Sequence, residues 1–394
     1  MIGRRALLIG GGGLGLALAG LGYRAWDRGV GTEEEGPAYA PWRTWEGRPQ
    51  DGRLRPLRAA ILAANPHDTQ PWTFAVGSET IEVFADRSRN LGSFDPFRRE
   101  MHLGLGAAIE NLTLAARAYG MSATVEPAAG ALTPSPDDAP IRVARVVLEP
   151  APETRDALFA AIPRRHTNRG PYRTDRPVAP EELRRLADLA SGGNVRLAFV
   201  AEKGARHDLG ALIVEATGRI VDDPEMSADS ARWFRAGARE IAAHRDGVTL
   251  DAAGLSLEMT VLAKFLPDMD AKTSDAYWLS MTRDSQVPTA PVLGMIFVRD
   301  RMDMPDAIAA GRAWQRLHLA ATVDGLAAQP LNQPVERADR DQALGRPDTF
   351  GRELAKFAAE PDWDATFVFR VGVPDRSAPP SPRRSLEEVV WTRT

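Results

Sequence analysis

One stretch of this chain is written twice. Gly106-Ala-Ala-Ile-Glu-Asn-Leu-Thr-Leu-Ala-Ala-Arg-Ala-Tyr-Gly-Met-Ser-Ala123 aligns with Gly311-Arg-Ala-Trp-Gln-Arg-Leu-His-Leu-Ala-Ala-Thr-Val-Asp-Gly-Leu-Ala-Ala328. The shared pattern is G-x-A-x-[EQ]-x-L-x-L-A-A-x-x-x-G-[LM]-x-A. Its apolar spacing is helical, with Leu112, Ala115, Ala116 and Tyr119 on one stripe. Gly120 and Gly325 stand where a helix C-cap needs a left-handed residue. A repeat of this kind constrains the fold to two related halves.

The flanking pattern repeats as well. A helix over 54–64 precedes strand-like TFAV and TIEVFA, a helix over 98–119, and strand-like RVARVVL ending near 149. The second half offers a helix at 181–190, VRLAFV at 195–200, further helices to about 265, VLGMIFV at 292–298, a helix at 305–324 and ATFVFRVGV at 365–373. This predicts an α+β fold whose tandem duplicated halves form an intrachain pseudo-dimer. Residues 266–290 show little periodicity and read as a long loop, a candidate lid. The expected divisions are 1–30, an export signal or anchor; 31–53, a linker or surface wrap; 54–150, the N-terminal half; and 151–394, the C-terminal half.

Composition removes several chemistries. The 394 residues are 44% hydrophobic and 26% charged, enough apolar material for a full core. A net charge of −4 carries neither a nucleic-acid footprint nor a polybasic membrane surface. The absence of cysteine excludes disulfides, thiolate catalysis and sulfur-held zinc or iron. The six histidines never fall at metal-binding spacing, and there is no G-x-S-x-G nucleophile elbow.

The chain begins MIGRRALLIGGGGLGLALAG. Arg4 and Arg5 before a smooth apolar run, with Ala17-Leu18-Ala19 as a small-x-small site, resemble a twin-arginine export signal. Gly10, Gly12 and Gly15 also fit G-x-G-x-x-G, but no second apolar strand leads to the acids at Glu33–Glu35. An uncleaved single-span anchor over Ala6–Gly22 is the other reading; the run is slightly short and Gly-rich for a bilayer.

Three polar segments remain as candidate chemistry: Asn65-Pro-His-Asp-Thr-Gln-Pro-Trp72, Arg164-Arg-His-Thr-Asn-Arg169 before Pro171-Tyr172, and Ser381-Pro-Arg-Arg-Ser-Leu386. Each alone has a plain explanation as turn or solvated surface. Together and in this order they resemble the R-[HR]-S-x-[KR], P-S-x-x-N-x-Q-P-W and basic-pair tail motifs of bacterial nitroreductases. The likeness is to the Acg-type branch of that FMN-binding oxidoreductase superfamily and covers roughly residues 55–394.

The resemblance implies one FMN where the second half's basic loop meets the first half's Q-P-W loop. Arg165, Thr167 (in place of Ser), Arg383 and Arg384 would serve the phosphate, with His166 in support. Arg169 would lie near the flavin pyrimidine edge, where a cation favours reduction. Asn65, Pro66 and Asp68 would come from the opposite half; the family usually has Asn where Asp68 stands. Pro330, Leu331, Asn332 and Gln333 would approach flavin N5. No side chain need be catalytic. The implied activity is ping-pong transfer from a small-molecule donor to an acceptor such as a nitroaromatic or quinone. Export would bring in a membrane quinol or a redox partner protein as donor, at the periplasm or the outer face of the cytoplasmic membrane. The competing implication is a flavin-binding, sequestering protein with little turnover.

Overall fold

The computed structural model describes residues 22–30, 35–47, 52–267 and 269–392. The export-signal expectation rests on residues 1–21 and lies outside them. In the first half, α1 (Arg55–Ala60) leads to the hairpin β1 (Trp72–Val76) and β2 (Thr80–Ala85). The long α2 (Arg99–Ala118), β3 (Met121–Pro127) and β4 (Ile141–Pro150) follow. In the second half, α3 (Pro180–Ala190) leads to β5 (Val195–Val200). A helical excursion then runs through α4 (Lys203–Val221), α5 (Pro224–Ala231), α6 (Ala238–His244), α7 (Leu257–Phe265) and α8 (Ala271–Met281). The chain returns in β6 (Val292–Val298), the long α9 (Met304–Val323), β7 (Ala327–Pro330), α10 (Gln333–Ala343), α11 (Thr349–Ala355) and β8 (Asp364–Gly372). A last strand, β9 (Val390–Thr392), ends the described chain.

The strand orders are β9-β1-β2-β4-β3 and β5-β6-β8-β7. Without β9, the first sheet matches the second strand for strand, and every matched neighbour is antiparallel. β9 runs parallel to β1, with Phe74 opposite Val390, so the end of the second half completes the first half's sheet.

The two sheets bury themselves differently. β2 alternates, with Ile81, Val83 and Ala85 buried and the residues between them only half-buried. That is the signature of a sheet covered on one face. On its other face Arg142 pairs with Glu82, and Arg145 with Glu126, in the open. β6 is buried along its whole length. Its Val292, Ile296 and Val298 join Trp314 and Leu317 of α9, while Leu293, Met295 and Phe297 join Leu209 and Ile213 of α4. α4 of the excursion, together with Leu331, Val335, Leu354 and Trp363, covers the second face.

The repeated helices α2 and α9 cross at their repeated glycines. A Cβ built at Gly106 would overlap the carbonyl oxygen of Ile308, and one at Gly311 would overlap that of Leu103. Leu103 and Ile308 hold the same place in the two repeats. Each helix therefore needs glycine for the same backbone contact with the other, the reciprocity of a two-fold interface. Gln315 Nε2 donates to Asn111 Oδ1 across the crossing at 2.8 Å. Glu110 accepts from Arg312 Nε and Arg316 Nε, both at 2.9 Å. Gly120 and Gly325 end the two helices at φ +78° and +75°, in the expected cap position.

Residues 266–290 are not a long loop. α8 and a wider turn at Thr282–Gln286 occupy most of them. α8 buries none of its residues, so no apolar stripe was imposed on its sequence. Within 31–53, the turn Pro37–Tyr39 and short helix Ala40–Thr44 bring Ala38, Tyr39, Trp42 and Trp45 into the first half's core.

Candidate functional site

The loop between α1 and β1 is held in an unfavourable backbone shape. His67, Asp68 and Gln70 have φ of 46°, 55° and 51°, left-handed without being glycine. Such residues cost on the order of 1–3 kcal/mol each and persist where the surroundings over-determine them. Asn65 Oδ1 accepts Gln70 N at 2.7 Å, and Thr69 N donates to Pro66 O at 2.9 Å. The Gln70 amide donates to Arg245 O at 2.8 Å and accepts Arg384 N at 2.7 Å. Gly247 N donates to Asp68 O at 3.1 Å. Segments of the excursion and of the C-terminal tail thus clamp a first-half loop.

Into this loop come two arginines of the second half. Arg165 Nη2 donates to Leu62 O at 3.2 Å, and Arg383 Nη2 to Ala63 O at 3.1 Å. Arg383 also pairs with Asp68, whose Oδ1 accepts Asn65 Nδ2 at 3.2 Å. Trp42 backs the cluster: the Arg383 guanidinium lies 4.9 Å from its ring centroid and the His166 ring 4.8 Å. His318 Nδ1 is 3.5 Å from Arg165 Nη1.

The cluster carries more buried positive charge than its single acid offsets. Burial lowers Arg165 to about 9, Arg383 adds repulsion, and Asp68 opposes both. Burial also lowers Arg169 and Arg383, with Asp68 opposing in each case. Burial raises the Asp68 carboxyl to about 7 despite Arg383. His166 falls to about 3 through burial and then Arg165; His67 falls to about 4 through burial and then Arg169. Both rings are neutral at physiological pH.

Asn65, Pro66, Asp68, Arg165, His166 and Arg383 are brought together, with Thr167 half-buried next in the chain. Arg169 shares the electrostatics of the cluster and donates to Ala252 O at 3.2 Å. It lines a cavity of about 180 Å³ with Asp251, Leu257, Thr260 and Arg376. Arg384 points elsewhere: its guanidinium bonds Gln70 O and Glu388 O. The hydrogen bonds of 330–333 also run elsewhere. Pro330 pairs with Phe369, Leu331 N donates to Val368 O at 2.9 Å, and Asn332 joins Glu100 to Val368 N. Gln333 is buried at the start of α10 with Oε1 unpartnered.

Unpartnered buried atoms test what the cluster fits. Arg165 Nε, Arg383 Nε, His166 Nδ1, His67 Nδ1, His318 Nε2 and Asp68 Oδ2 have no hydrogen-bond partner. Buried polar groups without partners are costly. Crowded guanidiniums with free N–H groups suit a multiply charged oxyanion such as a phosphate monoester, and the residues present fit that group. Among the described residues no group of histidines and acids is arranged to hold a metal.

Sequence reasoning missed three contributors. His318 occupies the repeat position held by Thr113, a departure visible in the aligned helices. Gln70 was read only as part of Q-P-W. Trp42 lay in a stretch read as linker, although Tyr39, Trp42 and Trp45 stand at helical spacing.

No family model matches the chain. A protein of Mycobacterium tuberculosis H37Rv named putative NAD(P)H nitroreductase Rv3131 is 28% identical over 362 residues, covering 85% of this chain and 89% of that protein. Another from the same strain, named putative NAD(P)H nitroreductase acg, is 32% identical over 119 residues, covering 29% of this chain and 34% of that protein. Among solved structures, the FMN-dependent nitroreductase NfnB from Mycobacterium smegmatis in complex with NADPH aligns with 19% identity and a TM-score of 0.38, covering 60% of this chain and 98% of its own. The first similarity spans both halves of the duplicated α+β fold.

Proposed function

We propose that this chain is an FMN-dependent oxidoreductase of nitroreductase type, with one flavin bound between its halves. The observation that supports it is the cluster in which Arg165 and Arg383 of the second half reach Leu62 O, Ala63 O and Asp68 of the first-half loop, with Arg165 Nε and Arg383 Nε left without partners. Arg165 and Arg383 would hold the phosphate dianion, with the Thr167 hydroxyl beside them. Arg169, lining the adjoining cavity, would face the flavin ring. Asn65 and Pro66 shape the first-half side of the site. Bound FMN would supply two-electron transfer through its N5 atom. His166, packed on Trp42, and His67, packed on Phe94, are neutral at physiological pH and add no charge to the site.

Asp68 has a definite part in this reading. It pairs with Arg383. A phosphate that takes over Arg383 leaves the Asp68 carboxyl without its counterion, and a proton then fills that role.

The chain purified and gel-filtered after incubation with FMN should retain flavin absorbance at one flavin per chain. A colourless, folded protein overturns the proposal. Stopped-flow mixing with NADH, NADPH or a quinol, then with a nitroaromatic or quinone, tests turnover. Retained flavin that no donor reduces favours sequestration. The export reading is part of the proposal: Arg4→Lys with Arg5→Lys in a reporter fusion should hold the protein in the cytoplasm.

A further inference from the structure

A helix lying against water turns its apolar residues inward. α7, Leu257-Glu-Met-Thr-Val-Leu-Ala-Lys-Phe265, does the reverse. Thr260 and Lys264, one turn apart, are 5% and 2% exposed, while Leu257 is 59%, Met259 50%, Leu262 50% and the following Leu266 53% exposed. The polar side is fixed. Lys264 Nζ pairs with Asp251 at 2.8 Å and donates to Gly29 O at 3.2 Å. Rolling the helix to hide its leucines would expose those partners and unpair a buried ammonium.

The segment at 22–30 docks on this same helix. Arg24 donates to Leu266 O, and Lys264 reaches Gly29 O. Arg239 holds the segment through Asp27 at 3.2 Å and lies 4.8 Å from the Trp26 ring centroid. Tyr23 and Trp26 are exposed with ring centroids 5.9 Å apart, and Met269 is exposed beyond α7. In sequence, Tyr23 and Trp26 directly follow the apolar run Ala6–Gly22. Tyrosine and tryptophan beside an apolar run are the residues that favour a membrane–water interface.

We infer that the outward face of α7, with Tyr23, Trp26 and Met269, seats on a lipid bilayer next to the point where the run 6–22 leaves the described chain. α7 has nine residues, too few to cross a bilayer, so its contact is with the surface. A second copy of the chain would cover the leucines equally well. Continuity with the apolar run and its aromatic foot favours lipid. Leu257 and Thr260 also wall the cavity at Arg169, so a donor or acceptor dissolved in the bilayer would approach from the seated face. That consequence rests on the flavin reading; the seating does not.

The absence of cysteine makes the test direct. Leu262→Cys gives the full chain a single thiol for an environment-sensitive NBD label, and Leu344→Cys places the same label at an exposed site on another element. With vesicles of phosphatidylcholine and phosphatidylglycerol, the label at 262 should shift to the blue and be quenched by nitroxide-bearing lipid. The label at 344 should do neither. Met259→Cys provides an independent repeat. A chain that floats with vesicles while its label at 262 stays solvent-like overturns the inference. So does a blue shift that follows protein concentration without vesicles, because a second copy then covers the face. None of these readouts depends on bound flavin.

Discussion

The two halves share one strand order and one helix crossing, yet they close their first two strands differently. In the first half, β1 turns into β2 through a tight hairpin in which Gly77 N donates to Thr80 O at 2.8 Å. In the second, the matching strands β5 and β6 are separated by the whole excursion from α4 to α8. The loop before the first strand differs too. Residues 61–71 make the strained, clamped loop, whereas only 191–194 separate α3 from β5. The half with the elaborate loop lacks the excursion, and the half with the excursion lacks the loop. The duplicated scaffold therefore carries each of the two elaborations once, where a symmetric dimer would carry both twice.

The largest test of this comparison is at the crossing. Gly311→Val forces side-chain atoms into a backbone carbonyl that cannot yield, and should cost about 3 kcal/mol or more, the upper end for overpacking. Gly106→Ala and Gly311→Ala should lose similar amounts in urea unfolding. A clear inequality breaks the two-fold. Glu110→Gln comes next, at about 3 kcal/mol, the lower end for a broken buried pair because Arg312 and Arg316 are about 30% exposed. Burial pushes the Glu110 carboxyl up, but Arg316 and Arg312 outweigh it and hold it below its usual value. Its stabilisation is therefore complete above pH 4.5 and lost as pH falls through the lowered value, so parent and variant should converge in acid.

Smaller effects sharpen the asymmetry of the site. Arg165→Met should weaken FMN retention by roughly 10- to 100-fold, one charge-assisted contact of about 1.5–3 kcal/mol. The same variant should raise the melting temperature of the flavin-free protein, because Arg165 pays a burial penalty at neutral pH. Loss of affinity without a gain in stability would mean that the cation is satisfied without phosphate. Asp68→Asn should bind FMN a few-fold more tightly at pH 8 and match the parent near pH 5. A carboxyl raised to about 7 is charged only above that value, and only then competes for Arg383. For folding, the unfolded carboxyl ionises from pH 3.8 upward while the folded one keeps its proton to about 7, so the parent loses stability across that window. The variant's stability advantage should grow across that window and then level off.

Much of the fold was legible because it leaves a period in the sequence. β2 alternates, α2 and α9 carry the repeat, and both cap glycines stand where left-handed backbone is needed. What escaped was structure whose reason lies elsewhere in the chain. α10 buries Glu336, Arg337, Asp339, Arg340 and Asp341, so its sequence looks like solvent although partners such as Arg99 and Asp223 enclose it. β3 and β7 are set by their neighbours β4 and β8 more than by their own residues. At the site, the motifs marked the loops, but charge balance required three dimensions. Nothing local says that Asp68 faces Arg383 or that Arg384 turns to Gln70.

The late entry of β9 also sets a timetable for synthesis. β1 waits for a partner that the ribosome makes only after the whole second half, and Ala63 is 320 positions from the arginine that bonds it. A nascent chain that has finished its first half has therefore finished neither its first sheet nor the clamp on its loop at 61–71. Its contacts are non-local, which makes folding slow and leaves the edge of β1 exposed meanwhile. The open edge of the first sheet and the loop at 61–71 therefore settle together, after the stretch 383–392 has been made.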